Sequence, residues 1–311
     1  CLSLSSVLHS LVWQLYTSEF CINIMSSDHV LRLALAQLKV GLDKPANIKN
    51  AIALIEKCVE EHQAEMVVLP ECFNSPYGTG YFSEYSEVIP DGETCKKMMA
   101  VAKKHKIWLV AGSIPEKASD GKLYNTSVIY NPKGEVVGTY RKAHLFDIDI
   151  PGKISFHESD TLSPGSAFFS FPAKNREGHV FTVGMGICYD MRFPELALVY
   201  ARRRGCDLLI YPGAFNTTTG PVHWELLARG RALDTQCYVA ACSPAQDTSA
   251  SYVSHAESLV VSPWGTVLAN AGKDEGHFCV EVSRAELDRV RSNIPIRNQL
   301  RKDMYSLKEA H

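Results

Sequence analysis

Residues 180–211 read VFTVGMGICYDMRFPELALVYARRRGCDLLIY. Val180 to Ile187 is an apolar, partly β-branched run that predicts a strand. Pro194 to Arg204 predicts a helix, with proline in its first turn and Gly205 just past its end. Asp207 to Tyr211 predicts a second, buried strand. A strand–helix–strand order of this kind belongs to α/β proteins. Between the first strand and the helix stands Cys188, on what must be a sharp turn. A nucleophile so placed is held exposed, near backbone N–H groups able to receive an oxyanion. Arg202, Arg203 and Arg204 would suggest nucleic acid in isolation, but positive charge there also suits a helix C-terminus.

The same alternation extends in both directions. Strands are predicted over Leu31–Leu38, Glu65–Pro70, Ile107–Ile114, Leu123–Tyr130, Glu135–Tyr140, Cys237–Cys242 and His277–Val282, with a hairpin over Ser258–Leu268. Helices are predicted over Ala46–His62, where Ile48, Ile52, Ile55 and Val59 share a face, and over Thr94–Lys106, Val222–Gln236 and Ala285–Arg291. Residues 147–166, with Pro151, Gly152, Pro164 and Gly165, read as a long loop. No linker or repeat interrupts residues 30–311, which are expected to form one α/β domain. Residues 1–29 are set apart. Their apolar run from Val7 to Tyr16 is broken by His9 and Gln14 and makes a poor secretory signal. Translated upstream sequence or a weak organellar presequence is expected there.

Composition narrows the function. The chain has 311 residues, 46% of them hydrophobic, and a net charge of −2. No basic excess points to nucleic acid, and no apolar run is long enough to span a membrane. Ten cysteines without any Cys-x-x-Cys pair fit reduced thiols in a reducing compartment. The expected location is cytoplasmic, with mitochondrial as the alternative. The sequons at Asn125 and Asn216 read as chance. Metal-ligand spacings, a complete dinucleotide fingerprint after Gly184 and Gly186, and Gly-x-Ser-x-Gly are all missing. No metal and no cofactor is expected.

Two further strands end in reactive side chains. Val67-Val68-Leu69-Pro70 delivers Glu71, and the strand ending at Arg141 delivers Lys142. A thiol, an ammonium and a carboxylate supply a nucleophile, an electrostatic stabiliser and a proton carrier. The ammonium is expected to favour the thiolate. Taken singly, Glu71 reads equally as a surface carboxylate and Lys142 as a solvent lysine.

Leu69-Pro70-Glu71-Cys72-Phe73, Tyr140-Arg141-Lys142-Ala143-His144-Leu145-Phe146 and Gly186-Ile187-Cys188-Tyr189-Asp190-Met191-Arg192-Phe193-Pro194-Glu195 closely resemble the three catalytic motifs of the nitrilase (carbon–nitrogen hydrolase) superfamily, in the same order. The resemblance spans residues 30–305. It implies a four-layer αββα sandwich, usually at least dimeric, so a homodimer is expected. It implies Glu71 as general base and acid, Lys142 as oxyanion stabiliser, Cys188 as nucleophile and Glu158 as a second glutamate supporting the lysine. Residues 70–78, 144–153 and 211–221 look like the ω-amidase branch. That branch hydrolyses the terminal amide of α-ketoglutaramate and α-ketosuccinamate through a cysteine thioester, releasing ammonia. The alternative within the superfamily is a deaminated-glutathione amidase, and outside enzymes a non-catalytic scaffold. Arg192, Tyr77 and Tyr189 are the expected substrate-binding residues. Arg192 would take a carboxylate in a bidentate fashion unless it braces the turn against Glu195. One departure stands out: Ala256-Glu257-Ser258 replaces the usual Gly-x-Ser. Alanine there loses backbone freedom, and Glu257 would repel an anionic substrate if it faced inward.

Overall fold

The computed structural model describes residues 29–309; the expectations for the N-terminal extension lie outside the described residues. The chain begins with β1 (Val30–Gln37) and α1 (Lys44–His62). Asp43 caps α1 by accepting from the Ala46 amide, and Gln63 closes it in the left-handed region at φ 54°. Then come β2 (Met66–Val68), α2 (Thr79–Tyr85), α3 (Glu93–His105), β3 (Trp108–Val110) and β4 (Ile114–Lys117). Next are β5 (Leu123–Tyr130), β6 (Val136–Arg141), β7 (Asp147–Ile150), β8 (Ile154–His157), β9 (Ser170–Lys174) and β10 (Val180–Met185). The remainder is α4 (Pro194–Arg203), β11 (Leu208–Pro212), α5 (Gly220–Thr235), β12 (Tyr238–Cys242), β13 (Leu259–Val261), β14 (Val267–Asn270), β15 (Gly276–Ser283) and α6 (Arg284–Asn293).

Two sheets result. One runs β15-β1-β2-β3-β5-β4 with β6 also on β5; the other runs β14-β13-β12-β11-β10-β9. Strand alternation sorts the side chains between them. Leu31, Leu33 and Leu35 of β1 face the second sheet and join Val183, Met185, Leu208 and Ile210, together with α4 and α5 residues, in one core. Ala34 and Ala36, on the opposite face, pack with Ile48, Ile55, Met98 and Val101 of α1 and α3. The layers are therefore helix, sheet, sheet, helix, the αββα sandwich expected.

Three local readings are corrected. Residues 147–166 are not a plain loop, because β7 and β8 form a two-stranded hairpin turning at Gly152, φ 70°, and a 3-10 turn follows at Glu158–Asp160. The alternation Asp147-Ile148-Asp149-Ile150 carried that signal, but the prolines and glycines masked it. The single strand expected over Ile107–Ile114 is two, broken at Gly112, φ 47°. Strand β9 and helix α2 went unread, since neither shows a clear period.

Candidate active site

Backbone contacts position each reactive group. After β2, residues 70–73 are clamped by the turn after β3. The Ser113 hydroxyl accepts from the Cys72 amide at 3.1 Å, and the Ser113 amide donates to Pro70 O at 3.2 Å. A Cβ at Gly112 would lie 2.0 Å from Pro70 O, so only glycine permits this approach. Lys142 follows β6, its amide donating to Asn125 O on β5 at 2.9 Å. Cys188 follows β10 at φ 48° and starts a 3-10 turn before α4. Asp190 pins that turn, accepting from the Ile187 amide and the Tyr140 hydroxyl through Oδ2 and from the His144 amide through Oδ1.

These three ends converge in a buried cluster. Glu71, Lys142 and Glu158 are fully buried, and Cys188 is 3% exposed. Lys142 Nζ lies 3.0 Å from Glu71 Oε1 and 2.8 Å from Glu158 Oε2. Asn125 Nδ2 also donates to Glu71 Oε1, at 2.8 Å, while Glu71 Oε2 is left without a fixed partner. The thiol of Cys188 interacts with the Glu71 carboxylate, and the Ala214 amide donates to its sulfur at 3.4 Å. Tyr252 and Tyr77 cover the cluster, their rings 4.6 Å apart, and line a narrow cavity of about 50 Å³ with Glu71 and Pro244.

The charges follow from this burial. Desolvation alone would lower the Lys142 pKa, but Glu158 and Glu71 outweigh it and hold the ammonium well above its ordinary range. Burial raises Glu71, which Lys142 only partly offsets. Burial also holds the Cys188 thiol well above its ordinary range; Glu71 adds to this and Lys142 opposes it. Lys142 acts in the expected direction, favouring the thiolate, and the structure adds two opposing and stronger influences. Desolvation and the adjacent carboxylate outweigh the ammonium, so the resting group is a thiol that needs a base.

The substrate-binding expectations divide. Tyr77 donates its hydroxyl hydrogen to Glu158 Oε1 at 2.7 Å, so it braces the glutamate and is not free to donate to a substrate. Tyr189 is half-buried against Phe146 and Phe193, and among the described residues its hydroxyl makes no hydrogen bond. Arg192 does not pair with Glu195. Its Nη1 donates to His223 Nδ1 at 3.1 Å, and its guanidinium lies 4.7 Å from the Phe215 ring centre. Ala256 and Glu257 both adopt the left-handed region, at φ 67° and 61°. That conformation costs a non-glycine residue roughly 1–2 kcal/mol. The Glu257 carboxylate sits 3.5 Å from His255 Nε2, and Ser258 is tied to Gln37 and Ser243.

Comparison with known proteins decides the family. The Carbon-nitrogen hydrolase family matches residues 32–292. The chain belongs to the carbon–nitrogen hydrolase family. It is 53% identical over 276 residues to Omega-amidase NIT2 of Pongo abelii, covering 89% of this chain and 97% of that one. It is 52% identical over 276 residues to Omega-amidase NIT2 of Homo sapiens, with the same coverage. Its fold is similar to Saccharomyces cerevisiae Nit3, a member of branch 10 of the nitrilase superfamily, at TM-score 0.79 and 43% identity, covering 86% of this chain and 95% of that one. The protein is therefore a hydrolase of the amidase type. Sequence reasoning missed three residues of this carbon–nitrogen hydrolase site. Asp190 lay inside a quoted motif but carried no distinct signal. Asn125 was dismissed as part of a sequon. Tyr252 approaches only through a loop far along the chain.

Proposed function

We propose that this protein hydrolyses the terminal amide of short dicarboxylic acid monoamides, α-ketoglutaramate and α-ketosuccinamate being the model substrates. One observation carries the choice of substrate class. Arg192 is half-buried four residues after the nucleophile, and among the described residues it has no carboxylate partner. A charge withdrawn from water usually has a counter-ion. A substrate carrying an amide at one end and a carboxylate at the other would supply it. The relatives named omega-amidase support the same class.

The chemistry is read from the cluster. Glu71 takes the thiol proton as Cys188 Sγ attacks the amide carbon. Lys142 and amides of the turn at Cys188 stabilise the tetrahedral oxyanion. Glu71 returns the proton to the departing amine, ammonia leaves, and a thioester remains. Glu71 then takes a proton from water, whose oxygen attacks the thioester; the acid is released and the thiol restored. Glu158, braced by Tyr77 and the Phe146 amide, holds Lys142 in place.

Substrate charge is tested with an ω-amide acid and its neutral methyl ester. Charge-assisted hydrogen bonds contribute about 1.5–3 kcal/mol, so the wild type should favour the acid roughly 10–150-fold in kcat/KM. Arg192→Lys should lose most of that preference, because an ammonium cannot reproduce the planar fork. Equal weakening toward both substrates would assign Arg192 to structure.

The pH profile gives a second expectation. Hydrolysis requires ionised Glu71, whose pKa burial raises. The rate should therefore fall with decreasing pH at a point above the ordinary carboxylate value of 4.5. Lys142, held above its ordinary 10.5, should impose no alkaline fall below that value. A profile of kcat/KM against pH that stays flat down to 4.5 would remove Glu71 as the base.

The expected homodimer has a candidate face. Val222, Leu226 and Leu233 form an exposed apolar stripe along α5, with exposed Trp264 beyond. A second copy would cover it.

A further inference from the structure

A second cluster of chemically capable side chains lies where α1 ends against β15. Glu61 and His62 occupy the last turn of α1, and His277 is on β15, which closes one edge of its sheet among the described residues. One ligand atom from each lies within 4.8 Å of the others. His277 Nε2 is 3.1 Å from Glu61 Oε2, and the two imidazole rings are 5.3 Å apart, tilted by 59°. None of the three takes part in the Glu71–Lys142–Cys188 cluster.

The geometry suits a metal ion. Donors around tetrahedral zinc at about 2.0–2.1 Å stand roughly 3.3–3.4 Å apart. Glu61 and His277 already have nearly this spacing. His62 makes no hydrogen bond among the described residues, so its ring is free to turn toward them. The His277 side chain is 14% exposed and held by packing, whereas Glu61 is 55% exposed and leaves a path from solvent. The carbonyl end of a helix carries partial negative charge, which favours a cation at this position.

We propose that Glu61, His62 and His277 bind one divalent transition-metal ion, zinc fitting best, with water completing the tetrahedron. Two imidazoles and a carboxylate are a borderline donor set that suits zinc better than calcium or magnesium. The ion would staple the end of α1 to the edge strand. It would stabilise the fold without entering amide hydrolysis, which the thiol, ammonium and carboxylate perform without a metal.

The experiment loads Cys188→Ala protein, which lacks the nucleophilic thiol, with zinc, removes excess by gel filtration and measures the metal retained. One zinc per chain is expected. At zinc concentrations about 100-fold above Kd the melting temperature should rise by roughly 5 °C. His62→Ala lies on the helix surface and should fold. It should weaken zinc binding by at least the roughly tenfold that losing even an outer-shell partner costs. Glu61→Gln should weaken it as well. Cobalt substitution should give visible absorption without a thiolate-to-cobalt charge-transfer band. Failure to retain zinc, equal affinity in His62→Ala, or a thiolate band would each overturn the site. Hydrolysis by the protein with Cys188 intact should be unchanged by His62→Ala and by EDTA.

Discussion

Cys188→Ala is expected to lower kcat by roughly 10⁵–10⁶-fold, the scale for removing a sole nucleophile from a concerted set. The fold should survive. Cys188 is buried at the edge of the inter-sheet core, and alanine keeps its Cβ while adding nothing to the left-handed strain already present at φ 48°. The lost interactions are one long contact from the Ala214 amide, 3.4 Å to sulfur, and the contact of the thiol with the Glu71 carboxylate. A stability change of about 1 kcal/mol is therefore expected. Ammonia release from a terminal amide is the activity readout, and circular dichroism with denaturant unfolding reports the fold. Intact mass during turnover should show an acyl adduct on the wild type and none on the variant. Turnover within tenfold of wild type by a folded Cys188→Ala protein would end the thioester mechanism.

Lys142→Met should damage both activity and stability, which separates it from the cysteine variant. Lys142 is fully buried between Glu71 and Glu158, and removing it leaves two buried carboxylates without their shared counter-ion. Breaking a buried ionic set by deleting one partner costs about 3–5 kcal/mol. Because the folded pKa of Lys142 is raised, its stabilising contribution is complete below its ordinary 10.5 and is lost only as pH rises through the folded value. The loss in the variant should thus be seen in full at neutral pH. Activity should fall by at least the roughly 10²–10³-fold that one oxyanion donor is worth. Adding Glu158→Gln removes one of the stranded charges and should recover part of the stability and none of the activity. A Lys142→Met protein as stable as wild type would show that the ammonium is not what the buried carboxylates depend on.

The strands that deliver Glu71, Lys142 and Cys188 were legible because apolar runs ending in a lone reactive residue are a local pattern. The αββα layering was legible through the resemblance that the three motifs carry, and the two sheets with their flanking helices agree with it. Glu158 is placed beside Lys142 in the sequence only through that resemblance; the structure puts it 2.8 Å away at the end of the β7–β8 hairpin, whose prolines and glycines read as loop. The partner of Tyr77 was misjudged because a tyrosine hydroxyl bonds whatever acceptor the fold brings near, and nothing in residues 74–78 points to a glutamate 81 positions away.

By itself, then, the sequence determined which chemistry is available and on which strand ends it stands, since these depend on side-chain type and on periodicities of a few residues. Tertiary structure alone decided the upward shift of the Cys188 thiol, the support of Glu71 by Asn125, the pinning of the turn by Asp190 and the pairing of Arg192 with His223. Each of these depends on how much water is removed and on which distant group fills the space. Burial shifts proton affinity through the sum of all neighbours at once. That sum does not exist until both sheets have closed over the site.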